Sequence, residues 1–333
     1  MNVERVLPRD AIPSVDDPTF GPEFAGEADD EVVVLERSGE VRAYPVGILD
    51  FHEIVNDTVA GQPVAVTWCP LCGAGVVYDR EVPAAASVLD ATGRGEGDAT
   101  RPPVLSFGVS GKLADDDLVM YDRETDSEWK QSAGSAIAGP LAGTDLRVLP
   151  AGMTTYGEFR EAYPGGMVLQ PPGGSSEAAS DTDEPAPIDY GRRPYESYLA
   201  GDGVGLGAHR GTGGRDWNRE DLSPKAVVLG VEGGGAALGF PRPRLLAAGG
   251  VGRATVGDRA VLVFATPDGV HGFEDPGFRF ERVEEGWFRA DGTVWDGATG
   301  RSEDGRRLER VPARRLFAFA WQDDHGPDAF WSG

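Results

Sequence analysis

Apolar residues come in short runs broken by polar turns, and no long stretch of the chain carries a helical repeat. Glu31 to Leu35 reads EVVVL, Ser38-Gly39-Glu40 turns the chain, and Val41 to Tyr44 returns, which predicts a β-hairpin. Pro45 opens a helical reading over VGILDFHEIVND. Val46, Leu49 and Ile54 fall near one face, with His52 and Glu53 near the end. After Gly61, PVAVTW predicts a strand that delivers Cys69 at its exit, and the stretch from Ala74 to Asp79 predicts the next. Cys69-Pro70-Leu71-Cys72-Gly73 is then a tight connection between two strands. Short strands are expected to follow through residue 149. A short helix is expected after Thr155, where Glu158 completes a capping-box spacing.

From Lys225 the pattern returns. VVLGVEGGGAALGFPRPRLLA, 227–247, aligns without a gap on EVVVLERSGEVRAYPVGILDF, 31–51. The match runs on through Gly61 on Gly257, Gly73 on Gly269 and Asp122 on Asp296, the last pair reading as turn-holding aspartates. The expectation is a mainly β (α+β) protein with few short helices, built as two tandem related antiparallel β domains from an internal repeat, packed face to face. An arm covers 1–30, the first domain 31–170, an acidic linker with a Tyr/Arg segment 171–222, and the second domain 223–333. Residues 82–103 read as a loop insertion. PPGGSSEAASDTDEPAP, 171–187, reads as disordered.

Charge narrows the partners. Asp+Glu number 55 against Lys+Arg 31, a net −24, which argues against nucleic acid or an anionic membrane surface. A halophilic cytoplasm explains such a surface simply. No apolar run is long enough to span a membrane and the N-terminus has no signal-peptide pattern, so a cytoplasmic location is expected. Oligomeric state is not legible.

Both cysteines of the chain sit in the Cys-x-x-Cys turn. In a reducing compartment that spacing serves a metal or a redox pair rather than a structural staple. His52 supplies a third soft donor, so His52, Cys69 and Cys72 are the expected ligands of a transition metal: zinc, copper or iron. Glu53 and Asp57 are the candidate catalytic carboxylates. Arg192, Arg193 and Tyr195, prominent in so acidic a chain, are candidate substrate contacts, although such a segment more often packs back on its domain. The later stretch carries Ala248, Ala265 and Asp268 where the first has His52, Cys69 and Cys72, so all three donors are missing there together. Two other readings stay open. One is thiol–disulfide chemistry on Cys69 and Cys72, weakened because a strand rather than a helix is expected after Cys72. The other is a non-catalytic ligand-binding or assembly module with a structural metal.

Six motifs in order resemble one family. They are Ala43-Tyr44-Pro45, His52-Glu53-Ile54-Val55-Asn56-Asp57, Cys69-Pro70-Leu71-Cys72-Gly73, Phe107-Gly108-Val109-Ser110-Gly111, Met120-Tyr121-Asp122-Arg123 and Gly139-Pro140-Leu141-Ala142-Gly143-Thr144. Together they resemble the domain of unknown function 3179 family over nearly the whole chain. The resemblance implies no established activity.

Overall fold

The computed structural model describes residues 1–92, 102–180, 182 and 184–333. Its fold is mainly β, with several antiparallel sheets and a few short helices, as the alternating pattern predicts. The hairpin Glu31–Arg37 and Glu40–Pro45 leads into the helix Val46–His52 and then the meander Ile54–Val59, Gln62–Cys69 and Ala74–Asp79. The same order recurs later. Val227–Gly233 and Ala236–Pro241 lead into the helix Arg242–Ala247, then Val251–Val256, Arg259–Ala265 and Val270–Glu274.

The two stretches do not simply stack face to face. One six-stranded sheet takes strands from both, in the order Ala236–Pro241, Val227–Gly233, Arg314–Phe317, Ala74–Asp79, Gln62–Cys69, Ile54–Val59. The seam is the pair Arg315↔Gly75. The first hairpin joins a separate five-stranded sheet instead.

The helix expected over VGILDFHEIVND is shorter than its pattern. It ends at His52, because Glu53 turns left-handed at φ 57°. Ile54 and Val55 then enter a strand paired with Thr67 and Val66, where β-branched side chains fit. The Thr155 hydroxyl does cap the later helix Tyr156–Ala162, accepting from the Glu158 N–H at 3.3 Å. Asp122 and Asp296 hold matching turns through Thr125 and Thr299, at 2.8 and 2.5 Å.

Period-two alternation sets up the site. Along Gln62–Cys69, the side chains of Val64, Val66 and Trp68 enter one core, with Val55 and Val77. Ala65 and Cys69 enter another, with Cys72, Met120 and Trp129. Cys69 is therefore placed facing the sheet built on Phe107–Ala114, Asp117–Asp122 and Glu128–Lys130.

Two loop expectations change. Within 82–103, Ala85–Thr92 is a helix, and residues 93–101 lie outside the described residues. Within 171–187, residues 181 and 183 lie outside them. Part of that segment packs: Ser175–Ser176 pairs with Ala186–Pro187, Ser176 and Ala179 are buried, and the Glu177 N–H bonds the Ala11 carbonyl at 2.8 Å.

Among the described residues, no helix is long and apolar enough to cross a membrane.

Candidate metal centre

Gln62–Cys69 ends on Cys69, and five residues later Ala74 pairs back on it. The turn between them is anchored at each carbonyl that faces a neighbour. Tyr198 Oη donates to Leu71 O at 2.6 Å, Phe317 N to Cys72 O at 2.8 Å, and Arg315 Nη1 to Gly73 O at 2.7 Å. Gly73 has φ +55°, and a Cβ there would stand 2.6 Å from the Phe317 ring, so only glycine fits.

Asp117 opens the strand opposite this turn. It follows Asp115 and Asp116, both at positive φ, which swing the chain around sharply. The Cys72 thiol contacts the Asp116 carbonyl at 3.5 Å. Cys69 Sγ, Cys72 Sγ and an Asp117 carboxylate oxygen lie within 4.8 Å of one another. All three residues are buried, none more than 2% exposed. Asp117 Oδ2 accepts the Ser132 N–H at 2.8 Å, and Oδ1 is buried without a hydrogen-bond partner.

Burial pushes both thiols above their ordinary range, and the Asp117 charge adds to the shift. Burial likewise raises Asp117 to about 6, against the pull of Lys130. Lys130 itself pairs with Asp324 of the C-terminal helix. Two thiols and a carboxylate fit a transition metal such as zinc, which binds sulfur and oxygen donors and displaces the thiol protons. The lone Oδ1 fits too, since a buried carboxylate oxygen without a partner is costly.

His52 is not part of this group. Its Nδ1 donates to the Pro13 carbonyl at 2.8 Å, leaving Nε2 to accept the Tyr190 hydroxyl at 2.7 Å. Both ring nitrogens are occupied, and burial holds the imidazole below its ordinary pKa. The helix stops at His52, so the side chain leaves toward the N-terminal arm rather than toward the turn.

Glu53 does approach the site electrostatically, through Cys69 and Asp117. Its carbonyl accepts the Trp68 N–H at 2.8 Å, tying it to the strand that carries Cys69. Its Oε2 is buried without a partner, and burial, with Glu177 and Asp50 nearby, raises its pKa to about 8. Asp57 is engaged elsewhere: it takes Arg42 at 2.5 Å, the Tyr44 hydroxyl at 2.6 Å and the Thr58 N–H at 2.6 Å.

The Tyr/Arg segment packs back over the turn. Arg192 donates to Ala179 O at 2.8 Å, Arg193 pairs with Asp30, and the buried Tyr195 ring stacks on His209 with centroids 4.9 Å apart. Asp116 Oδ1 accepts the Leu206 N–H at 2.8 Å, closing the cover.

Asp117 escaped the sequence reading because Asp115-Asp116-Asp117 looks like an ordinary solvated turn. The usable signal was position: the third aspartate starts an apolar strand, where an unpaired carboxylate needs a reason.

A mainly β fold with a buried dithiol–carboxylate group defines the class of protein the structure supports. A family model described as protein of unknown function (DUF3179) matches residues 9–329, and the chain belongs to that family. No curated protein and no solved structure matches the chain.

Proposed function

We propose that the chain holds one transition-metal ion on Cys69, Cys72 and Asp117, as a buried site that supports the fold of a small-molecule-binding protein. The observation that carries this is the buried, unpartnered Oδ1 of Asp117 beside the two thiols. The expected histidine donor is replaced by Asp117, because His52 spends both nitrogens elsewhere. A structural role is favoured over catalysis by burial: the three donors lie under Tyr198 and Leu206. Thiol redox is disfavoured, because a reactive thiol has a lowered pKa and these are raised.

Removal of the metal tests the role. A chelator is expected to lower the melting temperature by roughly 10 °C or more, with zinc or the native metal restoring it. An unchanged melt after verified metal removal contradicts a supporting role.

Glu53 favours a second reading, in which the site also acts on a ligand. A non-glycine residue in the left-handed region is strained, and the matching position of the later stretch is Gly249 at φ +89°. Glu53 keeps that strain and a buried, neutral carboxyl group next to Cys69. In this reading it is a proton donor.

A further inference from the structure

A second feature, a cavity, lies away from the thiols, between the two similar stretches. Its volume is about 880 Å³, within the range of small-molecule sites. Val34, Met153 and Phe159 wall it from one side, and Trp287 and Leu308 from the other. Trp287 is 39% exposed, so its ring is open to a ligand in the cavity it lines.

Arg310 and His271 also line it. Arg310 donates to Ala298 O at 2.6 Å and lies over the Phe273 ring at 4.8 Å. Among the described residues, no carboxylate reaches ion-pair distance of its guanidinium. Burial lowers its pKa, against the distant pull of Tyr163, Asp296 and Glu36. Gly152 makes room for it: a Cβ there would lie 3.1 Å from the guanidinium carbon. His271 is fully buried, with Nδ1 unpartnered and Nε2 3.2 Å from Thr266 Oγ1. Burial and then the charges of Arg310 and Arg242 keep the ring neutral. Arg310 is then the charged group at this end of the cavity.

None of the acids lining the cavity pairs with Arg310. Glu36 is taken by Arg307 at 2.7 Å and Arg301 at 3.6 Å. Asp296 holds its own turn, accepting the Ala298 N–H at 2.8 Å, and Glu158 bonds Thr154. Glu161, Glu285 and Glu309 are exposed. In a chain with 55 acids against 31 bases, a half-buried arginine without a carboxylate partner is a site prepared for an outside anion.

We propose that this cavity binds a small organic monocarboxylate with an apolar body. Arg310 takes the carboxylate in a bidentate pair, and Phe159, Leu308 and Trp287 hold the body. The site is separate from the metal centre and stands whether or not metal is bound.

Titration with benzoate, phenylacetate and hexanoate, followed by Trp fluorescence and ligand-observed NMR, tests it, with benzamide as the neutral control. Saturable binding of at least one carboxylate and none of benzamide is expected. Arg310→Met should weaken it by about tenfold or more. Trp287→Ala should weaken it several-fold without shifting the melt, and Cys69→Ser, if folded, should leave it unchanged. No saturable binding of any of the three by the wild-type protein overturns the proposal. So does unchanged affinity in a folded Arg310→Met. If Arg310→Met does not fold, Trp287→Ala decides, and wild-type affinity there overturns it.

Discussion

The Cys72 thiol lies 3.5 Å from the carbonyl of Asp116, 44 residues further along the chain. That contact brings the next carboxylate, Asp117, to both sulfurs. The donor set therefore exists only when the six-stranded sheet and the sheet carrying Asp117 are packed together. A metal held on this group would therefore be coupled to folding.

Gly73 is the backbone pivot of the turn. Gly73→Ala combines a positive φ with a clash on the Phe317 ring. A loss of roughly 1–3 kcal/mol in urea unfolding is expected. A loss below about 0.5 kcal/mol contradicts the role assigned to that contact.

Asp50 makes stability fall with pH. It accepts the Trp68 indole N–H at 2.8 Å, and burial raises it from 3.8 to about 7. The folded state keeps a proton that the unfolded chain releases near pH 4. This contribution is complete below that pH and is lost as pH rises through 7. Asp50→Asn should therefore gain stability relative to wild type at pH 8, by on the order of a few kcal/mol, with the gap closing by pH 4. Paired melts at the two pH values check it, and a pH-independent difference contradicts it.

Asp57 is predicted to be structural. Asp57→Ala leaves Arg42 and the buried Tyr44 hydroxyl without their shared acceptor. Destabilisation of about 2–4 kcal/mol is expected, Arg42 being partly solvated. Metal content should not change. Loss of metal in a folded Asp57→Ala protein would restore the carboxylate to the site.

Glu53→Gly removes a strained backbone and a buried carboxyl together, as in the later stretch. A higher melting temperature is expected, with metal retained. A lower one indicates that Glu53 supports the fold rather than being kept at its expense.

The fold was legible because period-two runs such as PVAVTW and EVVVL allow few alternatives. Two members of the buried group, Cys69 and Cys72, were legible as candidates because Cys-x-x-Cys in a turn has few uses. His52 misled because its helix was extended through Ile54, while the chain in fact reverses at Glu53 and enters a strand. Spacing along the chain cannot report that reversal. Asp117 reaches the thiols through sheet-on-sheet packing, and no local pattern encodes such a contact. The segment at 171–187 was read from composition alone, yet Ser176 and Ala179 find buried places and Glu177 bonds the N-terminal region.

The most direct test is elemental analysis of protein purified without added metal, comparing wild type with Cys69→Ser, Asp117→Asn and His52→Ala. About one equivalent of zinc, copper or iron is expected in wild type and in His52→Ala, with little in Cys69→Ser and Asp117→Asn. A metal-free wild type, or metal that survives Asp117→Asn but is lost in His52→Ala, contradicts the site described here.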